Sequence, residues 1–199
     1  MSHSEIKLAG RRSNGRKGFV HQTGFTLIEI MIALGIMGFA IAAVMYYQTR
    51  AETSQQSNQV ATSLVTMASK VKAYYGPTNS FTAVSGTTLN QIAVVPKGMT
   101  YDGTNVVDPW GNAMSINGSA ATFALTVGGS TGPLDKEACA SIASKLAENA
   151  QAVRVGAATA AAGVIAGGSA YKAIGGSPDA ALLGTGCSVA NPVVAAQFR

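Results

Sequence analysis

Histidine is almost missing from this chain of 199 residues; there are two, His3 and His21, both ahead of residue 25. From residue 25 onward there is no imidazole at all. A Ser-His-Asp triad, a Cys-His dyad and a histidine-ligated zinc site are therefore excluded from that body. Charge is scarce too, at 12% of residues with 47% hydrophobic, about half the charged share usual for a soluble domain. Such a composition excludes intrinsic disorder, which needs low hydrophobicity and high charge. The phosphate-loop pattern Gly-x-x-x-x-Gly-Lys is absent, so that kind of nucleotide site is not indicated. Cations outnumber acids 14 to 9, but unevenly. Lys7, Arg11, Arg12, Arg16 and Lys17 face only Glu5 within residues 1–24, whereas residues 25–199 are near neutral. A nucleic-acid reader would carry its basic stripe on the folded body, so no nucleic acid is expected to bind this chain directly.

What the sequence does have is one long apolar run, Phe25 to Tyr47, of 23 residues. As a helix it would span roughly 35 Å, enough for a bilayer core. The cations ahead of it place the N-terminus on the cytoplasmic side, and Tyr46 and Tyr47 sit where interfacial anchors often do. Glu29 interrupts the run, with no basic residue inside the run to pair with it. An ionisable group at that depth costs a few kcal/mol, so it needs a partner, unless it lies close enough to the membrane edge to stay wet. A secretory signal peptide would show a cleavage site after the run, following small residues. Here the conspicuous junction, Gly24-Phe25, precedes it.

Gly24-Phe25-Thr26-Leu27-Ile28-Glu29 resembles the processing signature of type IV prepilins. The resemblance implies cleavage after Gly24 by a prepilin peptidase and methylation of the new amine on Phe25. It implies that the apolar helix stays on the mature chain and becomes a filament core. Glu29 fills the place of the fifth mature residue, where it would pair with the Phe25 amine of a neighbouring subunit during assembly. Docking would neutralise one acid and one amine that are each costly in lipid. The 24-residue leader is similar to that of the type IVb class, and Leu34-Gly35-Ile36-Met37-Gly38 resembles the glycine-containing helix segment of toxin-coregulated pilins. Phe25 departs from this, being a first residue more common in type IVa. The long leader and the turn around Trp110 also resemble the pilins of thin conjugative pili. The glycines have a second reading, since small residues let membrane helices approach closely and also weaken the helix by about 1 kcal/mol each.

Past the run, Gln48 to Ser57 turns polar, and Val60, Leu64, Met67, Val71 and Tyr74 then recur as an amphipathic stripe. One helix of about 50 residues is expected, stopped by Gly76-Pro77. A short helix near Thr88–Val94 follows, then turns at Asp102-Gly103 and Asn117-Gly118. Ala113–Ile116 and Thr122–Val127 read as a hairpin, and Trp110 reads as a core anchor. A second helix is expected from Leu134 to Val155, burying Cys139, Ile142, Leu146, Ala150 and Val153. Residues 156–186 are rich in Ala and Gly with little periodicity, and read as short strands and loops. Pro192 to Phe198 reads as a final strand.

The topology puts the body outside the cytoplasm, where Cys139 and Cys187 are expected to form a disulfide. It would close a loop worth roughly 4 kcal/mol in the chain-entropy model, and it resembles the bond that bounds the C-terminal region of type IV pilins. Gly128-Gly129-Ser130-Thr131-Gly132 matches the nucleophile-elbow pattern, but without a histidine base it reads as a flexible turn. Asp102 and Asp108 could attract a calcium ion, but two carboxylates on a loop are weak evidence for a site, and no metal or cofactor is assigned.

These readings converge on an α+β chain. Residues 1–24 are a cytoplasmic leader, 25–47 a transmembrane and filament-core helix, 48–75 its amphipathic continuation, and 76–199 a globular head. The long helix packs on a small antiparallel sheet with a second helix and a disulfide-bounded C-terminal region. The resemblance implies a structural subunit, not an enzyme: the major subunit of a type IV pilus serving adhesion, aggregation or conjugation. Its partners would be copies of itself, the prepilin peptidase and methyltransferase, an assembly ATPase, an inner-membrane platform, an outer-membrane secretin, and membrane lipid before assembly. It would start in the bacterial inner membrane and end in an extracellular pilus. The alternatives are a minor pilin, a type II secretion pseudopilin, or a membrane-anchored periplasmic binding protein.

Overall fold

The computed structural model describes residues 26–199, apart from the side chains of 49–51 and 53. The first helix, α1, runs Leu27–Tyr75 over 49 residues, and the chain divides into two compact units at Met45/Tyr46. In the first unit α1 is built mostly of Leu, Ile, Met and Ala, with no proline and with Gly35 and Gly38 as its weak helix formers. Its first turn carries Glu29, an acid where the helix dipole favours one.

In the second unit α1 buries Val60, Ala61, Leu64, Met67, Ala68 and Val71. Tyr74, expected as the last member of this stripe, is 58% exposed. Tyr75 packs against the core instead. A period of 3.6 residues places the next stripe position between 74 and 75, and packing selects the second. A single 3-10 turn, Gly76–Thr78, then ends the helix. The short helix α2 is Gly86–Gln91, capped reciprocally by Ser85 and Thr88.

Three two-residue strands follow, β1 (Thr100–Tyr101), β2 (Val106–Val107) and β3 (Ala113–Met114), in a small antiparallel sheet. The main sheet holds β4 (Ile116–Gly118), β5 (Phe123–Gly128), β6 (Ala152–Ala161), β7 (Val164–Lys172) and β8 (Val193–Phe198). Their order is β4-β5-β8-β6-β7, antiparallel throughout. Asn117-Gly118 lies inside β4 rather than in the turn, which is closed by Ser119 and Thr122.

Helix α3 is Lys136–Asn149, with Asp135 as N-cap to Ala138. Cys139, Ile142, Leu146 and Ala150 are buried as expected, but Val153 is buried from a strand. The helix stops at Asn149 because Ala150 turns extended and Gln151 N–H donates to the Gln197 carbonyl. From Ala152 the ladder to β8 replaces the helical bonds. The end of α3 has no basic residue of its own. Lys172 of β7 supplies the cation, its Nζ donating to the Ala147 and Ala150 carbonyls at 2.5 and 2.9 Å.

The Ala- and Gly-rich stretch forms a long hairpin rather than short strands. Ala162 and Gly163, both at positive φ (47° and 74°), make the tight turn that matches strand twist. The ladder slips between Val153 and Ala158, and β6 pairs with β8 only as far as Gly156. The hairpin tip reaches β4: Ser115 Oγ and Asn117 Nδ2 donate to the Ala160 carbonyl at 3.2 and 3.1 Å, and Gly163 N–H donates to Asn117 Oδ1. It thereby closes the second face of the sheet over Ala124, Ala152, Ala158 and Ala195. Gly167 and Gly168 permit the fold, since a Cβ there would come within 2.4 and 2.5 Å of the Ala157 and Val155 carbonyls.

One polar knot ties the two sheets together. Buried Asp108 accepts from the backbone N–H of Trp110, Asn112 and Gly128, and from Asn112 Nδ2. Asn112 Oδ1 accepts in turn from Thr131 and Gly132 N–H. The Gly128–Gly132 segment is thus a pinned turn, and Gly132 lies so close to Trp110 that a Cβ would overlap its carbonyl. Trp110 is half-buried at the edge of the core.

Asp108→Ala leaves several buried N–H groups without an acceptor, at about 1–3 kcal/mol each. Its expected loss is about 3 kcal/mol, read as a lower urea midpoint of the full chain in detergent micelles, followed by Trp110 fluorescence. Lys172→Met keeps the stem and removes the cap on α3, and should lower the same midpoint by about 1 kcal/mol.

Candidate functional site

The most unusual surface of the chain is the apolar part of α1. Leu27–Gln48 is long and apolar enough to cross a membrane, with a mean hydropathy of 2.4, and none of it is buried within the chain. Leu27, Met31, Leu34 and Phe39 are all exposed. Isolated exposed apolar residues are ordinary, but a continuous surface of this size marks a membrane or protein contact. Gly35 and Gly38 lie on it, and a Cβ at either would meet nothing within 4 Å. No packing within the described chain calls for glycine at those positions.

Glu29 is the only Asp, Glu, Lys or Arg in Leu27–Gln48. Its backbone N–H donates to the Thr26 carbonyl at 3.0 Å, which starts the helix. Its side chain borders a shallow depression of about 390 Å³ shared with Ile30, Ala33, Leu34 and Met37. Those neighbours follow the i, i+4, i+8 row of one helix face. Among the described residues Glu29 forms no ion pair. A carboxylate set among apolar side chains favours a docked cation as soon as water is withdrawn. Gly24 and Phe25, the expected cleavage and methylation positions, lie outside the described residues, as does the basic leader.

The C-terminal region is bounded as expected. Cys139 and Cys187 form a disulfide with Cα atoms 5.8 Å apart. It joins the first turn of α3 to the residue that caps α4, Ala180–Gly186. Within the loop it closes lie the β6–β7 hairpin and α4, with Ile174 and Leu182 exposed.

The Gly128–Gly132 motif and the Asp102/Asp108 pair both have local hydrogen-bonding roles. Ser130 is exposed on the pinned turn, and among the described residues there is no histidine to serve it. Asp102 Oδ1 accepts from Asn105 and Thr104 N–H at 2.6 and 2.8 Å. Those bonds hold its carboxyl below the usual carboxylate range. The Asp108 carboxylate is occupied by the knot. Among the described residues no cluster of three metal-ligating side chains occurs. Two structural residues escaped the sequence reading, Asn112 and Lys172. Asn112 follows Asp-Pro-Trp-Gly, a turn signal that could have marked it; nothing local marks Lys172.

Comparison with known proteins agrees with this arrangement. Residues 20–45 match the prokaryotic N-terminal methylation motif, and residues 54–189, well over half of the chain, match the family described as PilS N terminal. The chain is similar to the major structural subunit of the bundle-forming pilus of Escherichia coli O127:H6 (strain E2348/69 / EPEC), 26% identical over 129 residues, or 62% of this chain and 64% of that protein. The same subunit from Escherichia coli O111:H- gives the same figures. The match therefore spans less than two thirds of those relatives. The motif and the domain behind it together place the apolar helix and its disulfide-tied head in one family, and the chain belongs to the type IV pilins.

Proposed function

We propose that this chain is a major pilin of the type IVb class. It is cleaved after Gly24, methylated on Phe25 and polymerised through α1 into an extracellular filament. The observation that carries the reading is the wholly uncovered apolar segment of α1, interrupted by Glu29 alone. Lipid covers that surface in the precursor, and α1 helices of other copies cover it in the filament. Gly35 and Gly38 then have a use that the single chain does not give them, because small residues let neighbouring helices approach.

In this reading residues 1–24 are the cytoplasmic leader, 25–47 the membrane and filament-core helix, 48–75 its amphipathic continuation, and 76–199 the head. Glu29 pairs with the methylated amine of Phe25 on an adjacent copy, so each docking step neutralises two charges. The role is structural, and no catalytic group is assigned. Prepilin peptidase, an assembly ATPase, an inner-membrane platform and an outer-membrane secretin are the partners. Adhesion, aggregation or conjugation belongs to the filament as a whole. The similarity to bundle-forming pilus subunits supports the major-pilin assignment.

The test is the intact mass and N-terminal sequence of fibres sheared from cells. A dominant chain beginning at methylated Phe25 is expected. A processed chain present only in traces would make it a minor pilin, and a retained leader or a monomer cut after the apolar run would remove the reading. Glu29→Gln should still reach the membrane and be cleaved, while fibre yield falls at least tenfold. Fibres at the native rate would overturn the pairing.

A further inference from the structure

A cavity of about 260 Å³ lies in the head, where β6, β7 and β8 meet on the alanine-lined face of the sheet. Its walls include Ala152, Ile165 and Ile174, with Arg154, Lys172 and Gln197 as the polar members. No acidic residue lines it. Gln197 is 6% exposed as a residue, and its side-chain amide makes no hydrogen bond to any described residue. The amide reaches solvent through the cavity, so its groups are free for a ligand. It offers both donors and an acceptor.

Arg154 is held in place beside it. Its Nη1 donates to the carbonyls of Gly167 and Gly168 at 2.9 and 3.4 Å. Those carbonyls are turned toward it by the two positive-φ glycines of the β7 irregularity, at 68° and 55°. Nε and Nη2 have no partner among the described residues, which leaves two donors of the planar fork for a ligand. Lys172 has its amine anchored on the α3 carbonyls and adds positive potential. The site is thus a fixed guanidinium and an unpaired amide on one side, with aliphatic walls on the other.

We propose that this cavity binds an acidic monosaccharide, a hexuronate, through its carboxylate. The guanidinium fork fits a planar carboxylate with two parallel hydrogen bonds. The Gln197 amide donates to the same carboxylate or accepts from a ring hydroxyl. Ile165 and Ile174 take the apolar face of the ring. The volume is small for a ligand pocket and suits one sugar ring rather than a chain. This goes beyond polymerisation: it gives the head a binding function of its own, and the experiment below does not depend on fibres forming.

The test uses the full chain in detergent micelles, with ¹⁵N resonances of the Arg154 Nε and the Gln197 amide followed by NMR during titration with sodium D-glucuronate. Saturable shifts of both groups are expected, with glucose, acetate and glucose 6-phosphate each binding at least tenfold more weakly. Gln197→Leu removes the unpaired amide without removing a protein contact, so it should unfold at the native urea midpoint or above it and bind glucuronate about tenfold more weakly. Several outcomes overturn the proposal. They are no saturation, an equal response to glucose or acetate, tighter binding of glucose 6-phosphate, or unchanged affinity in Gln197→Leu.

Discussion

The chain carries an apolar helical surface that it does not itself cover, and this constraint conditions everything else in it. Exposed apolar area is unfavourable in water at roughly 25 cal/mol per Å², and Leu27–Gln48 has none of its surface buried internally. Such a segment is stable only in lipid or against other helices of the same kind. Glu29 sharpens the constraint, because a lone carboxylate on that surface is tolerable only at a wet edge or beside a cation. Assembly, as proposed for this chain, would meet both demands at once.

The head is organised around β8, which is central in the main sheet and buried on both faces. The faces are unlike. Val194, Ala196 and Phe198 join α1 and α3 in the large core, where the Phe198 ring stacks on Phe123 at 5.0 Å. Ala195 joins the thin alanine layer on the other side. The buried members of that layer are four alanines and Ile165 of β7, and Gly167 and Gly168 allow the bend of the hairpin. The disulfide from α3 to the end of α4 then holds the ends of this region together, and Lys172 couples the hairpin to the end of α3.

Legibility followed chemistry that is local. The apolar run, the polar change after Gln48, the stop at Gly76-Pro77 and the start of α3 each depend on residues within a turn or two. All of them appear in the structure close to where periodicity places them. The departures came where two local answers were nearly equal in energy. Tyr74 and Tyr75 compete for one stripe position. Residues 150–155 suit a helix face or a strand, and pairing with β8 selects the strand. Alanine and glycine between 156 and 172 carry almost no periodic signal, so most of one long hairpin reads from sequence as short strands and loops.

The sequence alone therefore determined that this protein has a membrane-length helix with a single acid, a basic approach to it, a body without histidine catalysis, and a cysteine pair. These are properties of residue type and short spacing, and no partner segment is needed to express them. Tertiary structure decided which face of each strand is buried, where α3 ends, and how the hairpin lies over the sheet. It also decided that Asp108 accepts hydrogen bonds from Asn112 and Gly128, and that Arg154 and Gln197 share a cavity. Most of these depend on residues far apart in the chain meeting in register. Register is set by the summed packing of both sheet faces, which no short stretch of sequence contains.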